Sequence, residues 1–225
     1  MQSPGYAAWT SRKGLVSAPN ALSMQLPQPR PEPKSIEDFL PILHASEVKL
    51  ELIDGQIVPF ANGTMAHRLV TCQIVGALKS AVKPGYQLLT SDSALRHPNS
   101  STYVFPDASY TCETIAPDAD SIVAPRLVVE VMSPLSVERD RVNKLDCYQA
   151  IPSVEEYLII DSRRVWACVY CRYDGIWSIK IYGPDDTIEL LSIGTQINIG
   201  ELYAGAASCS PSNDEDFTDD AMGSA

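Results

Sequence analysis

The chain has 225 residues, 45% of them hydrophobic, and a formal net charge of −11, which allows one domain of ordinary size with a substantial core, plus tails. No stretch approaches the roughly twenty apolar residues of a membrane span and the N-terminus lacks a basic-then-apolar secretory pattern, so the chain reads as soluble, cytoplasmic and without a membrane partner. The acidic balance removes long-range attraction for phosphate backbones and counts against tight nonspecific nucleic-acid binding, though not against a local basic groove or a metal-bridged contact.

Residues 1–34 are rich in Pro, Ser, Ala and Gln and end in PQPRPEPK, a run that suits neither helix nor central strand and predicts a flexible tail. A single domain follows over 35–205, and from about Ala206 the chain becomes small, polar and acidic, with Asp214, Glu215, Asp216, Asp219 and Asp220 in a tail expected to be disordered. Ser35 is placed to cap a short helix from Ile36 to about Leu43. Val48 to Phe60 reads as a hairpin turning on Asp54-Gly55. Within it Glu51 alternates with Leu50 and Leu52, and on that pattern alone it is a solvent-facing strand residue beside Lys49. Thr64 then caps a helix from about Met65 to Val82 with an apolar stripe of Val70, Ile74, Ala77, Leu78 and Ala81; His67 falls in its first turn, where a surface or capping role is the usual one.

Tyr86 to Ser91 predicts a strand, and Arg96 to Ser101 an exposed polar loop. Tyr103, Val104 and Phe105 lead into Pro106-Asp107, where the proline marks a strand start or bulge and the aspartate, taken alone, is a turn residue bonding to its own backbone. Glu113 to Ala124 predicts an acidic surface loop. Further on, EYLIID at 156–161 is an apolar strand, and Val165–Arg172 and Ile176–Tyr182 pair across Asp174-Gly175. Trp166, Tyr170, Trp177 and Tyr182 read as packing residues in these strands. Residues 183–205 suggest a last short hairpin or edge region. The six cysteines are dispersed, as in a reduced protein; Cys168 and Cys171 would point to opposite faces of a strand, without the further ligands that zinc needs.

The segment PRLVVEVMSPLSVERDRVNK, from Pro125 to Lys144, carries the strongest signal. Leu127, Val128, Val129, Val131 and Met132 form the apolar run of a strand covered on both faces, and Glu130 sits in its middle. A buried carboxylate needs a cation, a metal or several donors, or it costs several kcal/mol, roughly, or is protonated. Ser136 is a good cap, and a helix from about Val137 to Ala150 would place Asp140, Lys144 and Tyr148 at steps of four. Glu130 and Lys144 are thus carried close together.

LELIDGQIV at 50–58, His67 with its helix, Pro106-Asp107, LVVEVMSPLS at 127–136, Asp140 with Lys144 and Tyr148, and EYLIID together resemble the PD-(D/E)XK nuclease superfamily. The likeness is closer to its Uma-two branch of restriction endonucleases and spans about residues 36–182. It implies an α/β fold of mixed α+β type: a restriction-endonuclease-like core with a central mixed sheet flanked by helices, and hairpins at both ends. It also implies a metal-dependent endonuclease acting on nucleic acid, DNA by expectation, and working as a homodimer. Asp107 and Glu130 would be the metal ligands for Mg²⁺ or Mn²⁺, and they and Lys144 the catalytic set, with Glu51 and His67 as further candidates. The parent superfamily's lysine stands two residues after the glutamate, where this chain has Met132; the branch supplies it from the next helix, and Lys144 fits. Two other readings stay open: a nuclease fold that has lost activity and serves as a binding or assembly module, and a metal-dependent hydrolase of small phosphate esters.

Overall fold

The computed structural model describes residues 32–60, 63–132 and 140–204, with backbone alone for 140–143. The expectations placed on both tails, on Ser136 as a cap and on Asp140 as a side chain lie outside the described residues. Helix α1 (Ile36–Ala45) opens as its sequence dictates, with Ser35 accepting from the Asp38 amide and Glu37 and Asp38 in the first turn. Strands β1 (Leu50–Ile53) and β2 (Gln56–Pro59) meet at Asp54 and Gly55, at φ +46° and +76°, the pair of left-handed residues that a tight hairpin turn requires. Thr64 caps α2 (Met65–Ser80) by accepting from the His67 amide.

Then come β3 (Gln87–Thr90), β4 (Ala94–Arg96), β5 (Tyr103–Val104), β6 (Ala108–Thr111), β7 (Ser121–Ile122) and β8 (Pro125–Met132). Helix α3 (Asp140–Ala150) leads to β9 (Glu156–Asp161), β10 (Ala167–Tyr173) and β11 (Ile176–Tyr182); β12 (Thr187–Leu190), β13 (Thr195–Asn198) and a one-turn helix α4 (Ile199–Leu202) close the described chain. The Asp174-Gly175 turn repeats the first hairpin's solution, at φ +48° and +77°.

The central sheet has six strands in the order β11-β10-β9-β8-β6-β3, with β8 and β9 parallel and its other pairs antiparallel. Strand β8 therefore lies inside the sheet, and its apolar run is explained: Leu127, Val129 and Val131 pack toward Val70, Ile74 and Leu78 of α2, while Val128 and Met132 face Cys147, Tyr148 and Ile151 of α3. Trp166, Tyr170 and Trp177 pack on the α3 side and Tyr182 on the α2 side. This is the expected mixed α+β core.

A second sheet, β2-β1-β5-β4-β7, was not visible in the pattern. The N-terminal hairpin is its edge, and the chain leaves it for the central sheet at Phe105-Pro106-Asp107, between β5 and β6. Part of the acidic link is ordered into it as well: Ser121 and Ile122 pair in parallel with Ala94 and Leu95, burying Ile122. The polar loop at 96–101 is mostly exposed, but His97 turns inward and donates its backbone amide to the Thr102 carbonyl.

A β-carbon on Gly55 would sit 2.6 Å from Pro33 Cβ, in a left-handed conformation. Gly55→Ala should lower the unfolding free energy by about 1–3 kcal/mol, read as a shifted urea midpoint at unchanged slope.

Candidate active site

Because side chains alternate along β8, Glu130 shares a face with Val128 and Met132 and points to α3. Its side chain is 16% exposed, so it lies inside the fold yet reaches a solvent path. One oxygen, Oε1, accepts from Tyr148 Oη at 2.7 Å and Lys144 Nζ at 3.2 Å. The i, i+4 spacing of Lys144 and Tyr148 on α3 is what brings two donors to one oxygen.

Asp107 stands one step before β6, whose Ala108 pairs with Val129. It therefore sits just beyond the last β6–β8 pair, and its charge acts on the Glu130 carboxyl. The Asp107 carboxylate is not a local turn bond: Oδ2 accepts the Val131 amide at 2.7 Å and lies 3.3 Å from His67 Nε2. His67 is accordingly no surface cap; its side chain is 16% exposed and is held from behind by Gly63, where a β-carbon would come within 2.1 Å of Nδ1.

Glu51 corrects the sequence expectation. It is 3% exposed, with Oε1 accepting from Phe105 N at 2.9 Å and Lys144 Nζ at 3.1 Å. Alternation in β1 reads as inside and outside only for a strand covered on one face. Here Leu52 packs under α1 with Phe39, while Ile53 joins the cluster around α3, so both faces are covered. Lys144, itself 4% exposed, links Glu51 of one sheet to Glu130 of the other.

Two carboxylates, Glu51 and Glu130, thus meet at Lys144, and a third, Asp107, meets His67. Among the described residues, the hydrogen bonds to each fall on a single oxygen: Oε1 of Glu51, Oδ2 of Asp107 and Oε1 of Glu130. Burial pushes the Glu130 carboxyl up to about 7, helped by the charges of Asp107 and Glu51 and opposed by Lys144 and the Tyr148 hydrogen bond. Burial disfavours charge on His67, but the hydrogen bond and charge of Asp107, with Glu130 beyond, outweigh it and raise its basicity. The cluster is short of positive charge and rich in hard oxygen donors, which suits a divalent cation such as Mg²⁺. Among the described residues no group of three or more His, Cys, Asp or Glu side chains is placed to hold a metal ion, so an ion on Asp107 and Glu130 would need water or substrate oxygens for the rest of its shell.

A cleft of about 360 Å³ opens beside Asp107, lined by Phe60, His67, Arg68, Thr71 and Ser91 among others. The expected meeting of Glu130 and Lys144 is present, whereas Glu51 is buried rather than solvent-facing and His67 reaches Asp107 rather than the surface. Sequence reasoning placed Tyr148 on the helix but not on Glu130, although its spacing from Lys144 was the available signal. The Gly63 contact had none.

The architecture is that of a restriction-endonuclease-like fold. A family model described as "Putative restriction endonuclease", Uma2, matches residues 36–200, and the chain belongs to that family. The uncharacterized protein slr1290 of Synechocystis sp. (strain ATCC 27184 / PCC 6803 / Kazusa) is 31% identical over 181 residues, covering 79% of this chain and 95% of that one. A second uncharacterized protein of that organism, sll1609, is 31% identical over 117 residues, 50% of this chain and 66% of its own. A crystal structure of "a putative nuclease belonging to DUF820" from Anabaena variabilis ATCC 29413 superposes with a TM-score of 0.63 at 20% identity, covering 77% of this chain and 99% of that chain; at that identity the likeness concerns the fold. No helix among the described residues is long and apolar enough to cross a membrane.

Glu130 binds its proton more tightly in the folded chain, at about 7 against an ordinary 4.5. Its contribution to stability is therefore complete below the lower value and lost as pH rises through the higher one. Glu130→Gln has no such loss. In urea titrations the variant should gain on the parent by up to roughly 3 kcal/mol between about pH 5 and pH 8; a constant gap would contradict the raised carboxyl.

Proposed function

We propose that this chain is a divalent-cation-dependent endonuclease that hydrolyses phosphodiester bonds of DNA. The observation that carries the reading is the placement of Asp107, bonded to the Val131 amide one residue from Glu130, while the Glu130 carboxylate meets a lysine fixed by a third carboxylate, Glu51. Asp107 and Glu130 would hold Mg²⁺ or Mn²⁺, which when bound makes a water more acidic and offsets charge at a phosphate.

The remaining work belongs to the chain's own groups. Glu51, fixed by the Phe105 amide, holds the Lys144 ammonium against Glu130. In that position Lys144 orients the attacking water and offsets negative charge as the phosphorus–oxygen bond breaks. Tyr148 and Lys144 tie down one Glu130 oxygen, and the Val131 amide and His67 tie down one of Asp107, so the second oxygen of each can face the ion. His67, kept basic by Asp107, supplies a proton-carrying group at the mouth of the cleft. Cutting both strands of a duplex calls for two such sites, which a twofold homodimer provides.

Nicking of supercoiled plasmid tests this. The parent should nick with Mg²⁺ or Mn²⁺ and stop in EDTA. Asp107→Asn, Glu130→Gln and Lys144→Ala should each lose on the order of a hundredfold or more in rate while melting cooperatively. Cleavage that survives EDTA, or folded variants as fast as the parent, would overturn the reading.

A further inference from the structure

Lys49 precedes β1 and lies two residues before Glu51, so the two side chains leave the strand on the same side. It is held in an unusual way. Its ammonium lies over two aromatic rings, 4.0 Å from the Phe105 centroid and 4.5 Å from that of Phe60, and donates to the Ser91 carbonyl. Cation–π contacts and a neutral carbonyl fix such a group without neutralising it. An ammonium has three donors, and among the described residues no carboxylate stands within ion-pair distance of this one, unlike Lys144. Burial lowers its basicity, while the charges of Asp92, Glu51 and Asp107 favour the ammonium and Lys144 opposes it.

Two of its three holders, Phe60 and Ser91, line the cleft that ends at Asp107 and His67. On the opposite wall, Thr71 Oγ1 stands one helical turn beyond His67 on α2, and it and His67 Nδ1 are buried without a hydrogen-bond partner among the described residues. The cleft, about 360 Å³, falls in the size range of small-molecule sites, about 300–1,000 Å³. Two of the groups that hold this ammonium thus line the same cleft as Thr71, His67 and Asp107.

Resting on the nuclease reading, we infer that Lys49 contacts a backbone phosphate of the bound nucleic-acid strand and that this cleft seats the nucleotide flanking the cut. Lys49 is then a substrate-binding residue distinct from Lys144. It supplies a local positive site on an acidic chain, which the net charge of −11 otherwise withholds. Arg68, exposed on the cleft wall, lies on the same path.

The test is the salt dependence of binding of a short fluorescein-labelled single-stranded DNA, by anisotropy, with Ca²⁺ replacing Mg²⁺ to hold the strand uncut. Each lost phosphate contact lowers the slope of log affinity against log salt by about 0.7. Lys49→Met keeps a flexible apolar group between the rings and Lys49→Gln keeps a donor for Ser91; both should melt near the parent, lose about 0.7 from the slope and bind severalfold more weakly at low salt. Lys49→Arg should retain the parental slope, as should Lys180→Met at the exposed pair with Glu189. Inorganic phosphate should compete only weakly, since the contact belongs to a strand; displacement of the strand by phosphate at equal concentration would overturn the strand assignment. A parent that binds with a normal slope while folded Lys49→Met and Lys49→Gln keep it overturns the Lys49 assignment alone. A parent that binds no strand at any salt overturns the whole inference, while plasmid nicking alone decides the nuclease reading.

Discussion

One buried ammonium organises this molecule. Lys144 reaches from α3 to Glu51 in one sheet and Glu130 in the other, so a single charge links the two sheets across the cluster that packs them. Removing one partner from a buried pair costs about 3–5 kcal/mol because the other charge stays behind. Here the partners outnumber the lysine even before Asp107 is counted, and burial, with the charges of Asp107 and Glu51 adding to it, pushes the Glu130 carboxyl up to about 7. A structure selected for stability alone would replace such a cluster with apolar side chains, often at no cost. Its presence where a solvent cleft meets the sheet favours a site over a strut.

The fold supplies the geometry by ordinary means. Strands β6 and β8 pair up to Ala108 and Val129, and just beyond that pair the Val131 amide holds the Asp107 carboxylate, one residue from Glu130 on β8. Pro106 belongs to the passage between sheets, a place that forgoes a ladder hydrogen bond anyway. Because Phe105 gives its amide to Glu51 and its ring to Lys49, the same passage also fixes Glu51 of the second sheet and Lys49 just before it. Asp107, Glu51 and Lys49 are thereby referenced to one short segment.

How much of this was legible depended on whether a residue conflicted with its local pattern. Glu130 did, as a carboxylate in an apolar strand, and it led directly to Lys144. Asp107 gained its meaning only beside Glu130. Glu51 satisfied a simple alternation and so hid, because the covering of both faces of β1 comes from α1 and α3, distant in sequence. Ser121-Ile122 hid for a similar reason: two residues in an acidic link form a strand only when β4 offers them an edge. Hairpins at Asp54-Gly55 and Asp174-Gly175 were readable because their left-handed backbone is a local requirement. The cage of Lys49 combines its own hairpin, which carries Phe60, with Phe105 and Ser91 from two distant segments, and no local rule anticipates those two.

The central claim is that Asp107 and Glu130 together hold a divalent ion. Calorimetric titration of Mn²⁺ into the full chain, with Asp107→Asn and Glu130→Gln beside it, measures that directly. The account predicts saturable binding by the parent and at least about tenfold weaker binding by each folded variant. A parent that takes up no Mn²⁺ or Mg²⁺, or variants that bind as the parent does, would contradict it.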